Sequence, residues 1–98
     1  MNSDYIQPPK EALLRIRAKI NVGEGNRLVV YGNWESDTWE KGIEMFCILP
    51  DLWEAIVTVR NSTARLIEFK VKLNDTQWET GANHAGYPNS QVEFTPYF

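Results

Sequence analysis

Apolar residues recur at every second position through most of this chain's patterned segments. Leu14, Ile16, Ala18, Ile20 and Val22 alternate with Arg15, Arg17, Lys19 and Asn21. Trp53, Ala55, Val57 and Val59 alternate with Glu54, Ile56, Thr58 and Arg60, and over residues 65–73 Ile67, Phe69, Val71 and Leu73 take one parity while Glu68, Lys70 and Lys72 take the other. Successive side chains leave a pleated backbone on opposite sides, so a period of two predicts strands with one face on a core and one in water. It argues against the helix that propensity alone would allow over "PPKEALLRIRAK".

Two further segments, RLVVYG at 27–32 and GIEMFCIL at 42–49, are more continuously apolar and read as strands, as does QVEFTPYF at 91–98. Pro96 in the last of these predicts an edge position, because proline cannot donate to a ladder. GEGN at 23–26, Gly32-Asn33, Pro50-Asp51 and the NST at 61–63 turn the chain between strands. About seven short strands at this spacing predict an all-β fold, an antiparallel β-sandwich. The polar residues 1–10, with Pro8 and Pro9, read as a flexible lead-in, and 11–98 as one sandwich domain.

A chain of 98 residues, 43% of them hydrophobic, can fill one core without metal or disulfide staples. Its net charge of -3 argues against nucleic acid, whose phosphates need a basic face. No apolar run approaches the ~20 residues of a membrane span, and MNSDYIQPPK has no hydrophobic signal core. The expected compartment is therefore cytoplasmic, or secreted if the segment is excised from a larger enzyme. Cys47 stands alone, so no intrachain disulfide and no CxxC zinc site is expected.

Catalytic groups are sparse. His84 has no serine or cysteine in a nucleophile setting and reads as a solvated loop residue, the acids are scattered, and VGEGN lacks the lysine of a phosphate cradle. The expectation is a non-enzyme with no cofactor and no metal.

The aromatic residues carry more information. Trp34 and Trp39 fall in the loop GNWESDTWEKG and Trp78 in DTQWETGAN, outside the alternating strands. Loop tryptophans can be lids over the open end of a sandwich. They can also be platforms, because an exposed indole offers a stiff, flat face for the C–H bonds of a sugar ring at small entropic cost. Lys70, on the outward parity of its strand, together with Glu79 and Asn83, could then supply polar contacts at the rim.

The segment LIEFKVKLNDTQWETGAN resembles the signature of the starch-binding domains of carbohydrate-binding module family 20, in which an aromatic-Lys-aromatic strand and short turn lead into W-E-x-x-x-N. RLVVYGNWESDTWEKGIEM is similar to that family's strand, tryptophan loop and next strand, and DLWEAIVTV to its Leu-Trp strand, so the resemblance spans roughly residues 14–95. It implies an immunoglobulin-like β-sandwich that binds α-1,4-glucans such as starch, glycogen or maltooligosaccharides, itself non-catalytic and tethering a linked or partner enzyme. Carried over by position, Trp39 and Trp78 would be the stacking platforms and Lys70, Glu79 and Asn83 the polar contacts. The loop after Gly32 is shorter than the family's and lacks its Leu-Gly, which leaves Trp34 as the alternative platform; Trp39 is preferred because it lies just before the GIEM strand.

The family's second site joins a tyrosine, a loop aromatic and the Leu-Trp tryptophan. Glu24 stands at the first position here, the intervening loop is only PDL, and Trp53 shares the parity of Ala55, Val57 and Val59, so Trp53 is expected in the core and one site is expected, not two. Two other classes of function stand beside the glucan module: a protein-interaction sandwich using the same aromatic patch, and a small hydrolase, for which no catalytic pair is visible.

Overall fold

The computed structural model describes residues 11–60 and 65–98. The lead-in expected over 1–10 and the turn expected over 61–63 lie outside these residues. Among the described residues there is no helix, and the strands are β1 (Glu11–Ala18), β2 (Leu28–Gly32), β3 (Ile43–Glu44), β4 (Phe46–Leu49), β5 (Leu52–Arg60), β6 (Ile67–Leu73), β7 (Gln77–Trp78), β8 (His84–Gly86) and β9 (Ser90–Phe94). They form a four-stranded sheet in the order β4-β5-β1-β9 and a five-stranded sheet in the order β3-β2-β6-β7, with β8 also paired to β6. Pairing is antiparallel throughout except for β1 with β9, which run parallel.

The alternation in the sequence becomes the core directly. Leu14 and Ile16 of β1, Val57 and Val59 of β5, Leu28 and Val30 of β2, and Ile67, Phe69 and Val71 of β6 are fully buried between the sheets. Each such side chain contributes about 1.5–3 kcal/mol relative to exposure, which makes this layer the main source of stability. Trp53 joins it at 7% exposure, as its parity predicts, although its indole Nε1 has no hydrogen-bond partner.

The strand boundaries differ from the sequence reading in ways that pairing explains. β1 starts at Glu11 rather than Leu14 and ends at Ala18, although the alternation runs on to Val22. Ala18 pairs with Trp53 near the start of β5, and beyond it only single backbone bonds remain, from the Lys19 amide to the Phe94 carbonyl and from the Ile20 amide to the Asp51 carbonyl; Ile20 and Val22 still pack on the core. GIEMFCIL is two strands in different sheets, not one: the chain crosses at buried Met45, whose amide donates to the Leu28 carbonyl. β7 and β8 have 2 and 3 residues, too few to show a period. β9 does lie at an edge, but Pro96 follows the strand and is fully buried.

Candidate functional site

Parity on β6 decides where the site lies. Phe69 and Val71 point into the core, so Lys70 and Lys72 project onto the outer face of the five-stranded sheet. Directly paired residues share a face of a sheet. Lys70 pairs with Tyr31 and Lys72 with Trp78, so the register gathers Tyr31 and Trp78 on that same outer face. The turn that returns Trp78 to β6 places Asn74 and Asp75 at φ 55° and 60°, with the Thr76 amide donating to the Leu73 carbonyl. Asn and Asp are among the non-glycine residues that tolerate this left-handed backbone best.

Trp39 arrives from the loop between β2 and β3, which is tied at several points. Asn33 extends the pairing to β6, donating its amide to the Glu68 carbonyl and accepting from the Glu68 amide through its side chain. The buried Thr38 hydroxyl donates to the Gly32 carbonyl and accepts from the Glu35 amide, and Arg65 donates to the carbonyls of Asn33 and Trp34. Gly32 has to be glycine, because a Cβ there would stand 2.5 Å from both the Glu68 carbonyl oxygen and the Trp34 ring. That ring is folded inward at 3% exposure and belongs to the core, so Trp34 offers no free face, whereas Trp39 is 38% exposed.

Trp39, Lys70, Trp78 and Asn83 together line an open groove of about 440 Å³. The two indoles are 6.4 Å apart between centroids and inclined at 59°, forming a shallow V rather than a flat wall. Trp78 is 40% exposed. At one side of the groove Lys70 Nζ donates to the Gly81 carbonyl at 2.6 Å. Gly81 has φ +95°, a conformation that any side chain would strain.

Glu79 does not reach the groove. It is 3% exposed and turned beneath the Trp78–Asn83 loop, where Oε1 accepts the Val71 amide at 3.0 Å while the Glu79 amide donates to the Val71 carbonyl at 3.0 Å. β7 leaves the edge of β6 at Lys72 and β8 rejoins it at Phe69, and Glu79 satisfies the backbone in the gap between them. Nor is His84 a solvated loop residue. It opens β8, its ring lies 4.0 Å from Phe94 and 5.6 Å from Phe69, and its Nε2 is 3.0 and 2.9 Å from the two oxygens of Glu79. A carboxylate can only accept, so Nε2 carries the proton of this contact. The pair anchors the loop from below, and Tyr97 anchors it from outside, its carbonyl accepting from the Thr80 amide at 2.7 Å.

A larger cavity of about 670 Å³ lies elsewhere, among residues 21–26, 47–50 and Trp53. Its lining includes no lysine, no arginine and no aromatic residue besides the nearly buried Trp53, and Glu24 occupies its rim. Ring faces and free donors, rather than volume, single out the smaller groove. Among the described residues, no cluster of three or more histidine, cysteine or acidic side chains could hold a metal ion.

The fold and this groove define an all-β sandwich module with an aromatic-lined outer face. No protein-family model matches the sequence, and no curated protein matches it. Among solved structures the chain is similar to part of a glycoside hydrolase family 15 glucoamylase from Hypocrea jecorina, with TM-score 0.72 and 18% identity over 96% of this chain and 19% of that one. It is also similar to part of a γ-CGTase from alkalophilic Bacillus clarkii, with TM-score 0.66 and 18% identity over 90% of this chain and 15% of the other. The chain thus spans less than a fifth of either enzyme's length. At this identity the likeness is one of fold.

Proposed function

We propose that this chain is a non-catalytic carbohydrate-binding module that takes α-1,4-glucans (starch, glycogen or their maltooligosaccharides) into the groove between Trp39 and Trp78. The observation that carries this reading is the convergence, in one open groove, of two exposed indoles inclined at 59° with an ammonium and a carboxamide. Inclined platforms suit the curved face of an amylose helix, whereas a flat glucan chain would call for coplanar ones. An ammonium has three N–H donors; Lys70 uses one on Gly81, which leaves two for sugar hydroxyls, and Asn83 can both donate and accept. The fold's likeness to parts of a glucoamylase and a CGTase supports a carbohydrate ligand at the level of architecture.

Each solvent-rimmed hydrogen bond contributes only about 0.5–1.5 kcal/mol net, so one groove should bind on the order of micromolar to millimolar. Strong adhesion would come from a polymer that offers many sites, or from attachment to an enzyme that raises effective concentration. The test is electrophoresis in native gels containing amylopectin or glycogen, with Trp78→Ala and Trp39→Ala beside the wild type. Retardation of the wild type that both variants lose is the expected result. A wild type that runs as freely as an inert control would overturn the reading and leave a protein partner for the aromatic patch as the next one to test.

A further inference from the structure

Trp78 sits in a strand of 2 residues and is 40% exposed, so its own backbone does little to fix its ring. Two side chains outside the groove lining hold it instead. The Tyr31 ring meets it edge-on, 5.2 Å between centroids at 62°, and the Lys72 ammonium lies 4.6 Å from the Trp78 centroid and 5.0 Å from that of Tyr31. Neither lines the groove, so both act from outside the space a ligand would fill. Among the described residues Lys72 has no carboxylate within ion-pair distance, so its charge is directed at the two rings. Tyr31 is itself fixed. It is 8% exposed, its hydroxyl donates to Asp75 at 3.0 Å, and Asp75 is paired with Arg27. Burial, reinforced by the Asp75 hydrogen bond, raises the Tyr31 hydroxyl above its ordinary pKa and keeps it a neutral donor.

We infer that Lys72 is the positioning residue of the groove: lying over both the Tyr31 and the Trp78 ring, it holds the Trp78 indole at its angle to Trp39 without touching the ligand. Lys70 and Lys72, two positions apart on one strand face, therefore divide the work, the first turned to the groove and a loop carbonyl, the second to the rings. A cation over an indole is worth more than the packing of its alkyl stem alone, so charge and stem are separable by substitution.

The experiment uses protein labelled with 5-fluorotryptophan, with the Trp78 fluorine resonance assigned by its absence in Trp78→Phe. Lys72→Met should shift or broaden the Trp78 resonance while leaving that of core Trp53 in place, and Lys72→Arg should restore it. A Trp78 resonance unmoved in Lys72→Met would overturn the inference. The binding arm rests on the glucan reading: maltoheptaose should bind Lys72→Met about three- to tenfold more weakly than wild type, with Lys72→Arg close to wild type. Equal affinity of Lys72→Met and wild type would also overturn it. If wild type bound no maltoheptaose, the glucan reading would fall while the fluorine spectra still decided whether Lys72 holds the ring.

Discussion

The cations that line up along β1 and its continuation and those along β6, on the two outer faces of this sandwich, are treated in opposite ways. On the four-stranded sheet Arg15 and Arg17 both reach Glu54, at 3.1 and 2.8 Å, and Lys19 lies 3.9 Å from Glu93. On the five-stranded sheet Lys70 meets a carbonyl and Lys72 meets two aromatic rings. Arg15 and Arg17 each use one of five N–H donors on Glu54, so what separates the two sets is the neighbouring surface rather than the donors left over. A cation bound to one carbonyl keeps donors free too, and the flat apolar surface beside it is indole. The exposed apolar residues of the first face include Leu13, Ile56 and, opposite Glu54 on the edge strand β4, Phe46 at 78% exposure, a ring with no aromatic partner among the described residues to make a second platform.

The faces also differ in their glutamates, and this gives the largest expected effect. Glu79 lies beneath the groove with a buried backbone amide and an imidazole as partners, whereas Glu54 sits on the opposite surface between two guanidinium groups. Glu79→Ala leaves the Val71 amide buried and unpaired, which should cost about 1–3 kcal/mol in chemical denaturation. Because the same carboxylate anchors the loop carrying Trp78 and Asn83, maltoheptaose binding should weaken in the same variant. Unchanged stability would mean that β6 needs no partner at the gap, and the contrast between the two glutamates would collapse.

That buried role shows where sequence reasoning stops. Alternation assigned the inward and outward sides of β1, β5 and β6 correctly, because parity is local and needs no knowledge of pairing. Of the residues the resemblance names, Trp39, Lys70, Trp78 and Asn83 line one groove. Glu79 follows Trp78 directly, and only the gap between β7 and β8 on β6 turns it inward. His84 looked solvated because its ring partners, Phe69 and Phe94, are 15 and 10 positions away. Tyr31 and Lys72 were invisible as a clamp for the same reason: their meeting with Trp78 depends on the β2-β6-β7 register, although the shared parity of Lys70 and Lys72 was a usable hint. The crossing at Met45 left no mark in the apolar run that contains it.

A smaller change would make the two faces alike. Asn83→Asp sets a carboxylate in the groove that Lys70 lines, offering that lysine the kind of partner Arg17 finds in Glu54. Maltoheptaose affinity should fall by about 0.5–1.5 kcal/mol, the loss of a hydrogen bond or two from the rim. Added salt should recover part of it, since an exposed pair is screened. Affinity equal to wild type at low salt would place Asn83 outside the contact and narrow the site to Trp39, Lys70 and Trp78.

The smallest effect belongs to the other face and isolates it from binding altogether. The hydrogen bond from Arg17, with that from Arg15 and the charge of both, lowers Glu54 below its ordinary pKa of 4.5 against the opposing effect of burial. A carboxyl that releases its proton more readily when folded stabilises the fold above its unfolded value, and that contribution is lost as pH falls through the depressed folded value. The stability difference between wild type and Glu54→Gln should therefore be steady near neutrality and decline from about pH 4.5 downward, since glutamine does not titrate. Its size at neutral pH should be about 0.2–1 kcal/mol, because the arginines are partly solvated and the pair is screened. Glucan affinity should not change at any pH where both proteins are folded. A difference that ignores pH would mean the arginines are held by the sheet and not by the carboxylate, and a change in affinity would show that the two faces are coupled through the core that separates them.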